Sequence, residues 1–326
     1  FEERIERSLE RILESRVSDA TGGTLEIGTL DVRWSRLSID VDRFRLVVPS
    51  RAEGDPLRVE VDRASVGIAV RGLPGLAAGR LHLSSVDARG VRVALDQGYI
   101  DALPRGGRRD RTFDVRVDRI AILEGEFHYA DETLPLDVRA RDAGIHGVWS
   151  AYRQSLTGKV TASADLGAEL FRKPLPVTVS ASYRLTAHRL EVFEARASAP
   201  GVEAELDEQT VSWDGPTLVT ASARLRADLD QLVPWLAVDI EGLGGRVDGD
   251  VAWSVGGGPV QVRGRLAAEP FSIGPLRLTS ADLAVTVDPG TVRIDVRSAR
   301  GLGGTLAGRV DLDYRDGLAV AVEVRG

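Results

Sequence analysis

The stretch from Phe113 to Tyr129, FDVRVDRIAILEGEFHY, limits most strongly what this chain can fold into. Apolar residues alternate with charged ones up to Asp118-Arg119, and the alternation then resumes at Ile120 after a step of three residues instead of two. Because successive strand side chains point to opposite faces, this predicts a two-faced strand with a bulge or tight turn at Asp118-Arg119. Residues 39–48 and 59–70 repeat the pattern around Val-Asp-Arg. The repeated unit is therefore strand, Val-Asp-Arg, strand.

The same alternation continues along the chain after residue 20, where long helical stripes are nearly absent. Together with turn signals about every ten residues, it predicts a mainly β protein of roughly twenty strands in a long antiparallel meander. Parallel strands would need helical crossovers, and the connections leave no room for them.

Two helices are predicted besides the strands. The first is amphipathic and ends at Gly22-Gly23, and it either caps a sheet or continues a membrane anchor into the aqueous side. The second is short, covers residues 228–236 and carries Pro234. The first helix rests on apolar residues at spacings of three and four, namely Phe1, Ile5, Leu9, Ile12, Leu13 and Val17.

These elements predict three segments. Residues 1–23 are the amphipathic helix, following a membrane anchor that is missing from the sequence; residues 24–226 are a first β-groove segment. Residues 227–326 begin with the short helix and form a second β-groove segment, which is cut within a strand. The chain begins with Phe and is expected to be an excerpt of a longer protein; it has no run of 18 apolar residues that could span a bilayer as a helix, and the residues leave a membrane anchor or a signal upstream of Phe1 open.

A sheet with one apolar face must cover that face, and two short helices cannot cover about twenty strands. The sheet is expected to fold over on itself as a sandwich, a barrel or an elongated trough with its apolar side inward. We favour the trough, because contiguous apolar surface beyond a few hundred Å² normally marks a binding site. The side chains predicted to line the groove are Ile39, Val41, Val59, Val61, Leu81, Leu83, Val91, Val93, Leu95, Phe113, Val115, Val117, Phe127, Tyr129, Val177, Val179, Tyr183, Val251, Trp253, Leu283, Val285, Val287, Val292, Ile294 and Val296.

Several kinds of chemistry are not supported by the sequence. The 42 basic and 49 acidic residues are interleaved, which argues against a nucleic-acid partner, and the chain has no cysteine. The four histidines are scattered and are interpreted as solvated or hydrogen-bonded surface residues, so no metal and no cofactor is expected. The glycine clusters lack the features of a phosphate loop, and no nucleophile has a base near it in sequence. An enzyme is therefore the last choice among the functions considered.

Arginines cluster in one loop that interrupts the alternation. We interpret it as a solvated loop, or as a weak contact site for anionic lipid head groups. Its arginines are Arg105, Arg108, Arg109 and Arg111.

The order of these features resembles the AsmA-like/TamB family of bacterial envelope proteins. The resemblance is carried by SDATGGTLEIGTLDV, by VEVDRASVGIAVRGLPGLAAGRLHLSSVDARGVRVALD with the following QGYIDAL, and by FDVRVDRIAILEGEFHYAD. GRVDGDVAWSVGGG, FSIGPLRLTSADLAVTV and ARGLGGTLAGRVDLDY continue it towards the C-terminus.

This resemblance implies an inner-membrane anchor, a periplasmic β-sheet curled into a groove, and movement of phospholipid between the inner and outer membranes. The alternative is a structural or assembly factor that aids insertion of outer-membrane proteins through a barrel partner. A transmembrane barrel is a third possibility, but aromatic residues make up only 5% of the chain and form no girdle.

Overall fold

The computed structural model describes residues 11, 14–15, 17–18, 22–49, 55–70, 80–96, 114–131, 136–150, 153–168, 171–186, 189–207, 209–212, 219–237, 241–255, 261–288, 290–301, 303–313 and 319–325. The protein is mainly β, as predicted. Its twenty strands are β1 Thr24–Arg33, β2 Ser38–Val48, β3 Leu57–Ile68, β4 Arg80–Asp96, β5 Asp114–Val117, β6 Arg119–Asp131, β7 Leu136–Ser150, β8 Ser155–Ala168, β9 Leu175–Leu185, β10 Arg189–Ala199, β11 Val202–Leu206, β12 Gln209–Ser212, β13 Val219–Asp228, β14 Gly244–Val255, β15 Gln261–Ile273, β16 Leu276–Leu278, β17 Ser280–Asp288, β18 Thr291–Gly301, β19 Gly304–Asp313 and β20 Ala319–Arg325.

The short internal helix is confirmed as α1, Leu229–Leu232, which continues into a 3₁₀ turn at Val233–Trp235. Pro234 lies in that turn, where its missing N–H costs no helical hydrogen bond. Of the predicted N-terminal helix, the described residues 11, 14–15 and 17–18 are helical, and most of the remainder lies outside the described residues. That helix stays a prediction.

All twenty strands belong to one hydrogen-bonded sheet, and the chain divides into two compact units. The first unit comprises Phe1–Asp131, Asp137–Ala164 and Ser182–Ala187. The second comprises Glu132–Leu136, Asp165–Ala181 and His188–Gly326.

In the first unit, β1 to β4 pair in antiparallel order, but β4 then pairs in parallel with β5 and β6. Val86 lies opposite Ile120, and Leu95 lies opposite Tyr129. The prediction of an entirely antiparallel meander is therefore wrong at this point. A parallel connection needs about a dozen residues or more, and residues 97–113 between β4 and β5 supply that length. Asp118 forms the predicted interruption, a bend between β5 and β6.

A line of backbone irregularities crosses the strands of the first unit. In each of five strands the apolar positions advance by three residues here instead of two, for example from Val41 to Phe44 in β2. Backbone φ is positive at Arg43 (59°), Gly90 (61°) and Glu124 (56°). We call this line the phase-shift row and define it by Gly28, Arg43, Asp62, Gly90 and Glu124 of β1, β2, β3, β4 and β6. In β7, Asp142 has the same backbone conformation, with φ of 52°.

In the second unit, β11, β13, β14, β15, β17, β18, β19 and β20 pair in an antiparallel series, and β10 pairs with both β11 and β12. A packed core lies at one end of these strands, where α1 contributes Leu229. Its buried members are Val247, Ala268, Leu278, Ala281, Leu283 and Ala299.

Candidate functional site

The candidate site is an extended apolar sheet face, first seen in the register of the first unit. Val59 of β3 lies opposite Val93 of β4, which lies opposite Phe127 of β6. Strand pairing thus brings apolar residues that are far apart in sequence into lines across the sheet. The phase-shift row preserves this arrangement, because each strand changes its phase at the same level and its apolar residues stay on one face.

The predicted groove residues of the first unit that the structure describes are brought together on this face. Most are half-buried, Leu83 is buried, and Phe127 is 36% exposed. These residues are Ile39, Val41, Val59, Val61, Leu83, Val91, Val93, Leu95, Val117, Phe127 and Tyr129.

The second unit carries a corresponding face. Val251, Val285 and Ile294 fall on one line, which continues to Val310 of β19 and Val322 of β20. Val322 is 65% exposed. The predicted residues on this half-buried face are Val251, Trp253, Val285, Val287, Val292, Ile294 and Val296.

Besides Leu83, two predicted lining residues are buried instead of half-buried. Leu283 belongs to the core at the end of the second unit, because α1 and Phe271 pack there. Tyr183 of the first unit is buried, and its hydroxyl donates a hydrogen bond of 3.3 Å to the carbonyl oxygen of His146. Burial raises the pKa of the Tyr183 hydroxyl above its ordinary value. Both residues therefore lie in packed positions, and the lining of a groove stays a prediction.

The remaining predicted positions differ in how far the structure describes them. The hydroxyls of Thr178 and Ser198 are 2.7 Å apart, so Val177 and Val179 point to the opposite face from Thr178. Leu81 and Val115 pair through their backbones in β4 and β5, and their side chains lie outside the described residues. Phe113 and the loop arginines Arg105, Arg108, Arg109 and Arg111 also lie outside the described residues.

The opposite face of the first unit carries charges that alternate in sign across the strands. Each residue of this row lies opposite the next one on the adjacent strand, from β1 to β6. The residues are Glu26, Arg45, Glu60, Arg92 and Glu126. Arg45 Nε lies 3.3 Å from Glu60 Oε1, and Arg92 Nε lies 3.4 Å from Glu60 Oε2. We call these five residues the first charge ladder. Opposite charges that face each other across strands stabilise that pairing.

A second charge ladder crosses the second unit and consists of Arg196, Glu205, Arg224, Asp250 and Arg265, then Asp295, Arg309 and Glu323. Arg309 Nε lies 2.7 Å from Asp295 Oδ1. The pKa of Arg309 is raised, first by this hydrogen bond and then by the charge of Asp295.

Two histidines lie on the charged parity of the first unit and bind carboxylates, as predicted for hydrogen-bonded surface histidines. His82 Nε2 lies 2.8 Å from Asp118 Oδ2, and His128 Nε2 lies 2.9 Å from Asp137 Oδ1. Burial alone would raise the pKa of Asp118, but His82 and Arg116 outweigh it and lower the pKa. This arrangement fixes side chains on a polar surface.

Sequence reasoning missed part of the apolar face and both ladders. Leu30, Ala64 and Ala88 lie on that face but were not among the predicted lining residues; the three-residue step already marked Ala64 as an apolar position, and the same step in β1 and β4 was the signal for Leu30 and Ala88. The ladders had no usable signal, because opposing charges are identifiable only once the strand register is known.

No helix among the described residues is long and apolar enough to cross a membrane. Within the same part of the chain, no group of three or more His, Cys, Asp or Glu side chains is placed to hold a metal ion. No protein-family model, curated protein or solved structure matches this chain.

Proposed function

We propose that this protein is a periplasmic lipid-transfer conduit that carries phospholipid acyl chains along its apolar sheet face between the inner and outer membranes. The observation that supports this most directly is the alignment of apolar side chains across successive strands. In each unit the aligned side chains are mostly half-buried, while charged pairs occupy the opposite face. Contiguous apolar surface of this kind is typical of binding sites.

In this proposal the sheet curls around its apolar face to form an elongated groove, as in the AsmA-like/TamB family that the sequence resembles. Transfer of an acyl chain with about fifteen methylenes into water costs roughly 12 kcal/mol of free energy, at ~0.8 kcal/mol for each methylene. A line of aliphatic side chains offsets most of this cost. Because the aligned positions are aliphatic or aromatic, they hold no specific head group, and several phospholipids could use the same path.

Two segments would connect the protein to the membrane. An anchor upstream of the chain would hold the protein at the inner membrane, and the arginine-rich residues 105–111 would contact anionic head groups. The sequence has no nucleotide-binding motif, so the chain would supply a path for lipid and no driving force.

Co-purification tests this proposal. We expect phospholipid to be detected by mass spectrometry in the protein purified from bacterial membranes, and to be lost with Val93→Asp in β4 or Val285→Asp in β17. The matched controls Ala94→Asp and Thr286→Asp are neighbours on the opposite face and should keep the lipid. Circular dichroism verifies that all four variants are folded.

The same experiment separates the alternative function. A structural or assembly factor would purify without lipid, and Val93→Asp and Val285→Asp would then have the same effect as their controls. That result would contradict the conduit. Equal lipid content in folded variants and wild type would contradict it as well.

A further inference from the structure

We infer that the acyl chain in the first unit follows the phase-shift row and therefore runs at right angles to the strands. This inference rests on the proposed function and specifies the path that the ligand takes over the face.

The row changes the spacing of the apolar side chains. A step of two residues along an extended strand separates neighbouring side chains by about 7 Å, and a step of three separates them by up to about 10 Å. At the row, β1, β2, β3, β4 and β6 take the longer step together. The result is a furrow between two lines of apolar side chains that crosses the strands without interruption.

Apolar side chains border the furrow on both sides. One line contains Ile27, Phe44, Val61 and Val91, each opposite the next in the strand register. The other line contains Leu30, Val41, Ala64, Ala88 and Ile122, likewise in register. A flexible apolar chain matches such a furrow, because it contacts both lines along its length and needs no hydrogen-bonding partner.

Small residues border the furrow in β3, β4 and β6, where Ala88 and Gly125 are buried. Ala64 lies opposite Ala88, and the next apolar position of β6 after Ile122 is Gly125. Asp62 of the row accepts hydrogen bonds from both terminal guanidinium nitrogens of Arg92, and beside the row Arg63 Nε lies 3.1 Å from Asp42 Oδ1. Their charges are therefore neutralised in pairs.

Site-specific photocrosslinking tests the path. A benzophenone amino acid replaces Val91 beside the row, Leu95 on the same face about 13 Å further along β4, or Ala94 on the opposite face. Val61 and Leu57 of β3 provide a second pair in case a β4 variant is unstable. Each folded protein is irradiated with vesicles of phosphatidylethanolamine and phosphatidylglycerol in equal amounts, and lipid adducts are quantified by mass spectrometry.

We expect several-fold more lipid adduct at Val91 and Val61 than at Leu95 and Leu57, and background levels at Ala94. Equal adducts at positions near the row and distant from it would overturn the inference and leave the conduit intact. Folded proteins that give no adduct at any of these positions would overturn the conduit itself.

Discussion

Arg43, Glu124 and Asp142 adopt a left-handed backbone conformation that disfavours residues with a Cβ atom. At Arg43 the irregularity could be predicted, because the alternation of β2 shifts by one residue immediately after Val-Asp-Arg. At Glu124 the residue type gave no indication, since glycine is the usual residue in this conformation, whereas Asp142 is of a type that adopts it more readily. The position of the irregularity could thus be predicted from the alternation, and its backbone conformation could not.

Replacing Glu124 by glycine should stabilise the protein by about 1 kcal/mol, because glycine adopts positive φ without steric cost. The matched control is Glu126→Gly, two residues further along β6, where the backbone is extended and glycine should destabilise by about 0.5–1 kcal/mol. Urea unfolding midpoints measure both changes. A decrease in the midpoint for both variants would show that Glu124 carries no backbone strain.

The carboxylate of Asp137 should make stability depend on pH. Hydrogen bonds from Arg139 lower its pKa below the ordinary 3.8, outweighing the opposite effect of burial, and His128 adds to the lowering. A depressed pKa stabilises the folded state above the ordinary value, and this contribution is lost as the pH falls through the depressed value.

Asp137→Asn should therefore lower the urea midpoint at about pH 6, and the difference from wild type should shrink towards about pH 3. Asp250→Asn is the control, because Asp250 is more exposed and lies 3.8 Å from its arginine. A difference for Asp137→Asn that stays constant over this range would contradict the linkage.

At the level of secondary-structure elements, strands and the short helix α1 could be predicted because each shows in its own side-chain pattern. The direction in which two strands pair is not visible in the side-chain pattern of either strand. The patterns of β4 and β6 suit a parallel or an antiparallel neighbour equally well, since either places their apolar residues on the same face. The error came from judging that the connections leave no room for a crossover, although residues 97–113 are long enough for one.

The first charge ladder should stabilise strand pairing. Arg45→Glu would place three carboxylates in adjacent strands, with Glu26 and Glu60 on either side, and we expect a loss of about 1 kcal/mol at low salt. The loss should diminish in about 1 M salt, where exposed charges are screened. Urea unfolding at both salt concentrations measures it.

Two further variants complete that experiment. Arg45→Glu combined with Glu26→Arg should recover part of the loss, because the pair between β1 and β2 is restored with reversed polarity while Glu60 keeps its pairing with Arg92. Arg36→Glu in the turn between β1 and β2 should have little effect, since Arg36 is exposed and outside the ladder. If Arg36→Glu and Arg45→Glu were equally harmful, general surface charge would explain the result.

For the whole molecule, the main property is the separation of an apolar face from a charged one in each unit. Composition could not reveal this, because 43% hydrophobic and 28% charged residues would suit many soluble domains. The periodicity predicted two faces, and only the pairing of strands showed that the faces of neighbouring strands coincide. How much of the apolar face is packed was also beyond the sequence, as Leu283 and Tyr183 illustrate.

If lipid covers the apolar face, as the proposed function requires, its removal should make the protein associate with itself. An unoccupied apolar face favours contact with a second such face, because both are then removed from water. Analytical ultracentrifugation of protein stripped of lipid should show concentration-dependent oligomers, and addition of a lysophospholipid below its micellar concentration should restore the monomer. A protein that stays monomeric after lipid removal would indicate that its apolar side chains are already covered.

The second charge ladder has a consequence for strand sliding. Valine, leucine and isoleucine are nearly interchangeable neighbours, so the apolar face alone would tolerate a shift of β19 along β18 by two residues. The charged side prevents it, because Arg309 would leave Asp295 and meet Arg293 in one direction or Arg297 in the other. Electrostatic repulsion on the charged face thus allows the apolar face to consist of similar, repetitive aliphatic residues while the strands still pair in a single register.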